Sequence, residues 1–253
     1  MSSDDTPTDR SERPAFYALT PGGWRDYWTL LHPPYTLWHL SYVALGAALA
    51  PTLDVWLMIQ TLLAFLLGMG VAAHALDELH GRPLATRIPS GMLRGLAVAG
   101  LAGAIALGVD GTIEASLWIW PCIVAGGFLV VAYNLELFGG RFHSDLWFAL
   151  AWGAFPVLTA YIAQTGRLDL QAVALAAACA AVSAAQRVLS TPVRRLRRHV
   201  VAVAGTLTTD DGGAEPIDAN TLRAAPELAL RWLSLAMPLL AIALVVARLA
   251  SRN

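Results

Sequence analysis

Three short clusters of ionisable residues interrupt an otherwise apolar chain, and each follows an apolar run. The first is His74-Ala-Leu-Asp77-Glu78-Leu-His80-Gly81-Arg82-Pro83-Leu84. At helical spacing His74, Asp77, Glu78 and Gly81 fall on one stripe, since residues i, i+3, i+4 and i+7 share a face. Two carboxylates and an imidazole so placed can converge on one cavity. Hard oxygen ligands at a membrane edge suit Mg²⁺, which keeps several waters and is shared between one or two carboxylates and a substrate phosphate. Asp77 and Glu78 are therefore the candidate metal ligands, and Gly81 ends the helix so that Arg82 can turn inward. The plain alternative is a solvated helix end with an Asp–Arg pair and a glycine cap.

The second cluster runs from Tyr133 to Asp145 and includes Asn134, Glu136, Gly139, Gly140, Arg141 and His143. Its paired glycines permit a tight, exposed turn. Arg141 has the planar fork that binds oxyanions bidentately. Glu136 and Asp145 can add metal ligands, while Asn134 and His143 can orient a substrate. An ordinary turn with Asp145 capping the next helix remains open. The third cluster, Gln186 to His199, holds Arg187, Arg194, Arg195, Arg197 and Arg198. Read as a topology signal with affinity for anionic headgroups, it needs no chemistry. Read as a diphosphate-binding wall, it places Arg187 and Arg194 best.

The elements that must position these clusters are apolar helices. The chain has 253 residues, 57% hydrophobic and 14% charged, with mean hydropathy +0.56, a balance that points to an integral membrane protein. Net charge is −1, and all 17 basic residues are arginine. That argues against nucleic acid as a partner, and the absence of lysine removes Schiff-base chemistry. Cys122 and Cys179 sit in apolar stretches without Cys-x-x-Cys spacing and read as inert core residues. The polar first thirty residues show no short apolar core before a cleavage site, so no removable signal peptide is expected.

A helix needs about 17–25 apolar residues to cross the hydrocarbon. About seven such runs stand at 35–51, 54–76, 92–109, 115–137, 146–164, 168–189 and 228–247. The expected fold is an all-α, multi-pass transmembrane bundle, since nothing alternates with period two as a barrel strand would. Residues 1–30 read as a polar N-terminal segment, 31–253 as a single transmembrane domain, and 208–225 as a solvated loop. Arginine-bearing connections at 77–94, 138–145 and 187–225 should be cytoplasmic together with the N-terminus, although Arg248 and Arg252 would then lie outside. Small residues, Gly95, Gly100, Gly103, Gly108 and the alanine-rich run 172–185, let helices approach closely.

Together these features resemble the UbiA superfamily of intramembrane prenyltransferases, from about Pro33 to about Gly205. The segment His32-Pro-Pro-Tyr-Thr36 looks like the family's entry into its first helix, and Asp77 through Arg82-Pro83-Leu84 like its first motif. Tyr133 to Arg141, and Phe155-Pro156 to Thr165-Gly166, look like its fourth and fifth helix signatures. Of the first motif's three polar positions only Asp77 is kept, with Ala73 and Gly81 at the others. The second motif maps on Gln186 and Ser190, without carboxylates, and the family usually carries about nine helices rather than seven.

The resemblance implies an enzyme of the cell membrane that uses Mg²⁺ to transfer a prenyl group from a prenyl diphosphate to an aromatic or lipid acceptor. It implies Asp77 and Glu78 as metal ligands, and Arg82, Arg141 and Arg194 as holders of the diphosphate. Asn134 and Glu136 would orient the acceptor or the cation, with His74, Tyr133, His143, Gln186 and Arg187 lining the substrate site. Two alternatives keep the fold: a cyclase acting on the prenyl diphosphate alone, and a non-catalytic lipid- or quinone-binding protein.

Overall fold

The computed structural model describes residues 13–251. A short helix α1 (Trp24–Leu30) precedes α2 (Pro33–Leu49), α3 (Val55–Leu79), α4 (Ser90–Glu114), α5 (Ile119–Asn134), α6 (Asp145–Thr165) and α7 (Leu170–Arg198). A small antiparallel hairpin, β1 (Gly205–Thr208) with β2 (Ala214–Ile217), then leads into α8 (Ala219–Ala250). The segment read as a solvated loop thus contains the second strand and the start of α8, and the hairpin's residues are almost all exposed. Three expectations touch residues outside those described: the absence of a signal peptide and the polar cytoplasmic segment 1–30, which rest partly on residues 1–12, and the placement of Arg252.

The fold is an all-α bundle of apolar helices. Five of them, α3, α4, α6, α7 and α8, are long and apolar enough to cross a membrane. Helices α2 and α5 occupy two further places read as spans, with 17 and 16 residues, or about 25 Å of helix each. Only 17% of the apolar window of α4, and of α8, is buried inside the molecule. Val98, Ile113, Leu239 and Ile242 therefore face outward, an apolar exterior suited to lipid.

The core gathers around α2, which packs against α6 and α8. Trp38, Tyr42 and Leu45 meet Val157, Cys179, Val193, Leu230 and Met237 there. Close approach depends on missing side chains: a Cβ on Gly46 would stand 2.9 Å from the Val157 Cα, and one on Gly153 would stand 2.7 Å from the Cys179 carbonyl oxygen. Both cysteines are free. Arg248 donates through Nε to the Ala48 carbonyl at 3.1 Å and through Nη2 to the Ala50 carbonyl. It thereby satisfies carbonyls left without partners at the end of α2, a structural reason for an arginine that the charge pattern of the loops does not explain.

Two helices widen into π turns beside the chemistry-bearing residues. Leu66–Ala73 is π-helical just before His74, and Leu150–Ala154 is π-helical around Trp152. The second widening sits directly before Pro156, whose missing amide removes one helical hydrogen bond. Such widenings are frequent at functional sites.

Candidate functional site

A cavity of about 270 Å³ opens at one end of the bundle. The end of α3 contributes His74 and Asp77, the end of α5 contributes Tyr133 and Asn134, and the following turn contributes His143. The end of α7 supplies Gln186, Arg187 and Arg194. Eight of the twelve site residues expected from sequence are thereby brought to one place, although their three clusters are far apart in the chain.

The other four are placed elsewhere. Glu78 is fully buried but faces away from the cavity, and its carboxylate accepts from Leu84 N at 3.0 Å, Thr86 N at 2.8 Å and Thr86 Oγ1 at 2.8 Å. Three donors engage the two oxygens, so in this structure Glu78 clamps the Leu84–Thr86 loop and lines no part of the cavity. Arg82 also folds onto its own loop, donating to the Ile88 carbonyl at 2.6 Å and to Ser90 Oγ at 2.7 Å. Its backbone is left-handed, with φ 53°, and its guanidinium lines no part of the cavity, although the following Pro83 does.

Glu136 is exposed, with φ 49°, and stands 4.0 Å from His143 Nδ1, beyond hydrogen-bond reach. Arg141 is exposed and lines no part of the cavity. The turn before it passes through left-handed Glu136, Phe138, Gly139 and Gly140 and leaves the guanidinium on the outside. Asp145 does not cap α6. Ser144 accepts from Trp147 N as the cap, and Asp145 pairs with Arg187 at 2.8 Å.

The electrostatics of the cavity favour an anion. Arg187, Arg194 and Arg198 line it against one carboxylate, Asp77. Arg187 is paired with Asp145, but Arg194 and Arg198 have no acidic partner among the described residues. Arg194 instead donates to Ser190 Oγ at 3.0 Å and Thr191 Oγ1 at 3.2 Å, and Arg198 donates to the Pro14 carbonyl at 3.3 Å. Among the described residues, no hydrogen bond or ion pair reaches the Asp77 carboxylate. No three His, Cys, Asp or Glu side chains among them are grouped to hold a metal by themselves.

Several polar atoms lack partners in the same place. Buried His32 Nε2, Tyr133 Oη and Gln186 Oε1 make no hydrogen bond, although buried polar groups are nearly always paired. All three residues line the cavity, where water or a ligand can reach them.

Sequence reasoning missed the first wall. Pro14 to Tyr17 roof the cavity, and His32, Tyr35 and His39 line it from α2 and its N-cap. Arg197 and Arg198 hold the roof by its Arg13 and Pro14 carbonyls. Tyr17 Oη lies 2.9 Å from His32 Nδ1, and the His32 ring stacks on His74 with centroids 4.2 Å apart. Burial, with the nearby His74, Arg198 and Arg194, holds the His32 imidazole well below its ordinary range, so the ring is neutral at physiological pH. The signal that was available is His39 itself, an ionisable residue inside an apolar helix.

A second cavity of about 110 Å³ lies between α3, α4, α5 and α6. Its lining is apolar, with Leu57, Phe65, Leu101, Ile123 and Phe155 among its walls. Met69 and Trp152 line both cavities, so the apolar one adjoins the polar one across these two buried side chains. Compared with family models, curated proteins and solved structures, the chain matches none.

Proposed function

We propose that this chain is an intramembrane prenyltransferase that takes the prenyl group of a prenyl diphosphate and passes it to a hydrophobic or aromatic acceptor. The observation that carries the reading is that a cationic cavity and an apolar one adjoin, with Met69 and Trp152 lining both. A ligand matching both has a strongly anionic head and a hydrocarbon tail. Arg194, steadied by two hydroxyls, and Arg198 present forks that bind phosphate oxygens. Asp77 is the residue that would hold Mg²⁺, and a single carboxylate suits an ion completed by phosphate oxygens and water. When bound, Mg²⁺ supplies charge neutralisation to the departing diphosphate.

Gln186 and Ser190 stand where the resemblance expects a second pair of carboxylates, and Ser190 orients Arg194 instead. In this reading a fixed guanidinium replaces a second cation. The aromatic faces of Tyr133, Phe148 and Trp152 border the cavity and can stabilise the allylic cation. In this reading the arginine-bearing loops, the cavity and the N-terminus lie on the cytoplasmic side of the cell membrane, in keeping with the bias of basic loops toward that side.

The test uses protein in lipid nanodiscs with geranyl or farnesyl diphosphate, Mg²⁺ and phenolic acceptors. Released diphosphate and a prenylated product are expected. Asp77→Asn should lower release by at least about a hundredfold with the fold retained, and undiminished release would refute the assignment. The missing second acidic pair favours one other reading, a non-catalytic protein for an isoprenoid anion. Tight binding of farnesyl diphosphate with no release under any condition identifies that case.

A further inference from the structure

We propose that His39 is the general base that takes the acceptor's proton as the prenyl bond forms, an inference that rests on the transfer reading above. His39 lies in α2, is 6% exposed and lines the cavity. An ionisable side chain inside an apolar helix is costly to keep and marks a site. Its Nδ1 lies 2.8 Å from the Trp152 carbonyl oxygen. A carbonyl only accepts, so Nδ1 carries the proton and Nε2 keeps its lone pair.

Position selects His39 among the four histidines of the cavity. The head of the ligand belongs with Asp77, Arg194 and Arg198, and its tail belongs in the apolar cleft. On that reading the reacting carbon, C1 of the prenyl chain, joins the two and lies beside Met69 and Trp152, which line both cavities. His39 is the histidine bonded to Trp152. The Tyr42 and Phe148 rings flank it edge-on at 5.8 and 6.0 Å between centroids and hold the imidazole plane. His74 and His143 donate Nδ1 to Gly70 and Tyr133 carbonyls, nearer the headgroup end.

The step balances. The C1–O bond breaks with its electron pair leaving on the diphosphate, the acceptor's oxygen or carbon bonds to C1, and the proton of that acceptor passes to His39 Nε2. Base catalysis of this kind contributes about a hundredfold to ten-thousandfold.

The test compares two substitutions that separate a chemical from a structural role. His39→Asn keeps an amide donor at the Nδ1 position for Trp152 and removes the base. His39→Gln places an amide at the Nε2 position and loses the Trp152 bond. Product formation from farnesyl diphosphate and a phenol is measured beside farnesyl diphosphate affinity and thermal stability. The expected result is a loss of at least about a hundredfold in turnover for His39→Asn, with affinity and melting temperature unchanged, and a comparable loss for His39→Gln. Native turnover in His39→Asn overturns the proposal and leaves the transferase reading intact. Loss of farnesyl diphosphate binding in His39→Asn makes the residue structural and also overturns it. Failure of the native protein to cleave farnesyl diphosphate removes the transferase reading itself.

Discussion

Glu78→Gln separates two roles for one carboxylate. In the structure Glu78 accepts from two backbone amides and one hydroxyl of the loop Leu84–Thr86, and the residue has no exposed surface. Glutamine keeps one acceptor oxygen, enough for Thr86, but sets an NH₂ group against the Leu84 amide. Leaving one buried donor unpaired costs about 1–3 kcal/mol, and the remaining bonds lose their charge assistance. A total of roughly 2–4 kcal/mol is expected for Glu78→Gln. For Glu78→Ala, where all three donors lose their partner, it is roughly 3–6 kcal/mol. The assay is equilibrium unfolding in mixed micelles, run beside Mg²⁺-dependent diphosphate release. Because Pro83 borders the cavity and is carried by this loop, affinity for the diphosphate should fall along with stability. A Glu78→Gln variant as stable as the parent that has lost only its Mg²⁺ dependence would show that the carboxylate binds metal, and the reasoning would fail.

Two further outcomes follow from the same geometry. Arg194→Gln removes a fork fixed by Ser190 and Thr191, and should weaken binding of farnesyl diphosphate about tenfold to a hundredfold, while Arg141→Gln should leave it unchanged. Equal losses in a direct binding assay would return Arg141 to the site. Because the folded His32 imidazole titrates well below its ordinary value of 6.5, the unfolded chain takes up its proton first as pH falls. Its contribution to stability is therefore present above about pH 6.5 and lost below it. Melting temperature should drop as pH falls below about 6.5, and His32→Gln should flatten that slope; an unaltered slope would assign the acid sensitivity to other groups.

The helical character and the apolar exterior were legible because lipid leaves a spanning chain no choice but to satisfy its amides internally. The three polar clusters were legible as well, and residues from all three reach one cavity. Which side chain within a cluster faces inward was not legible. Asp77 and Glu78 are neighbours, yet one meets the cavity and the other holds a loop, because the bend at Gly81 and left-handed Arg82 brings the Leu84 and Thr86 amides back over Glu78. Arg141 and Arg194 have the same chemistry, but a left-handed turn precedes one and two hydroxyls steady the other.

The composition of this chain, its apolar periods and the spacing of its charges determined an all-α bundle with polar clusters at helix ends, since each of these is a property of local sequence. Only the packed molecule decided that His32, His39 and the Pro14–Tyr17 roof join the site, and that Glu78, Arg82, Glu136 and Arg141 leave it. Those outcomes depend on π-turn widening, on glycine-mediated helix contact and on which donors a loop brings within 3 Å. Some are distances between residues remote in the chain, such as Gly46 and Val157, and others turn on the backbone of a single residue, such as left-handed Arg82; neither is written in the spacing of polar and apolar residues.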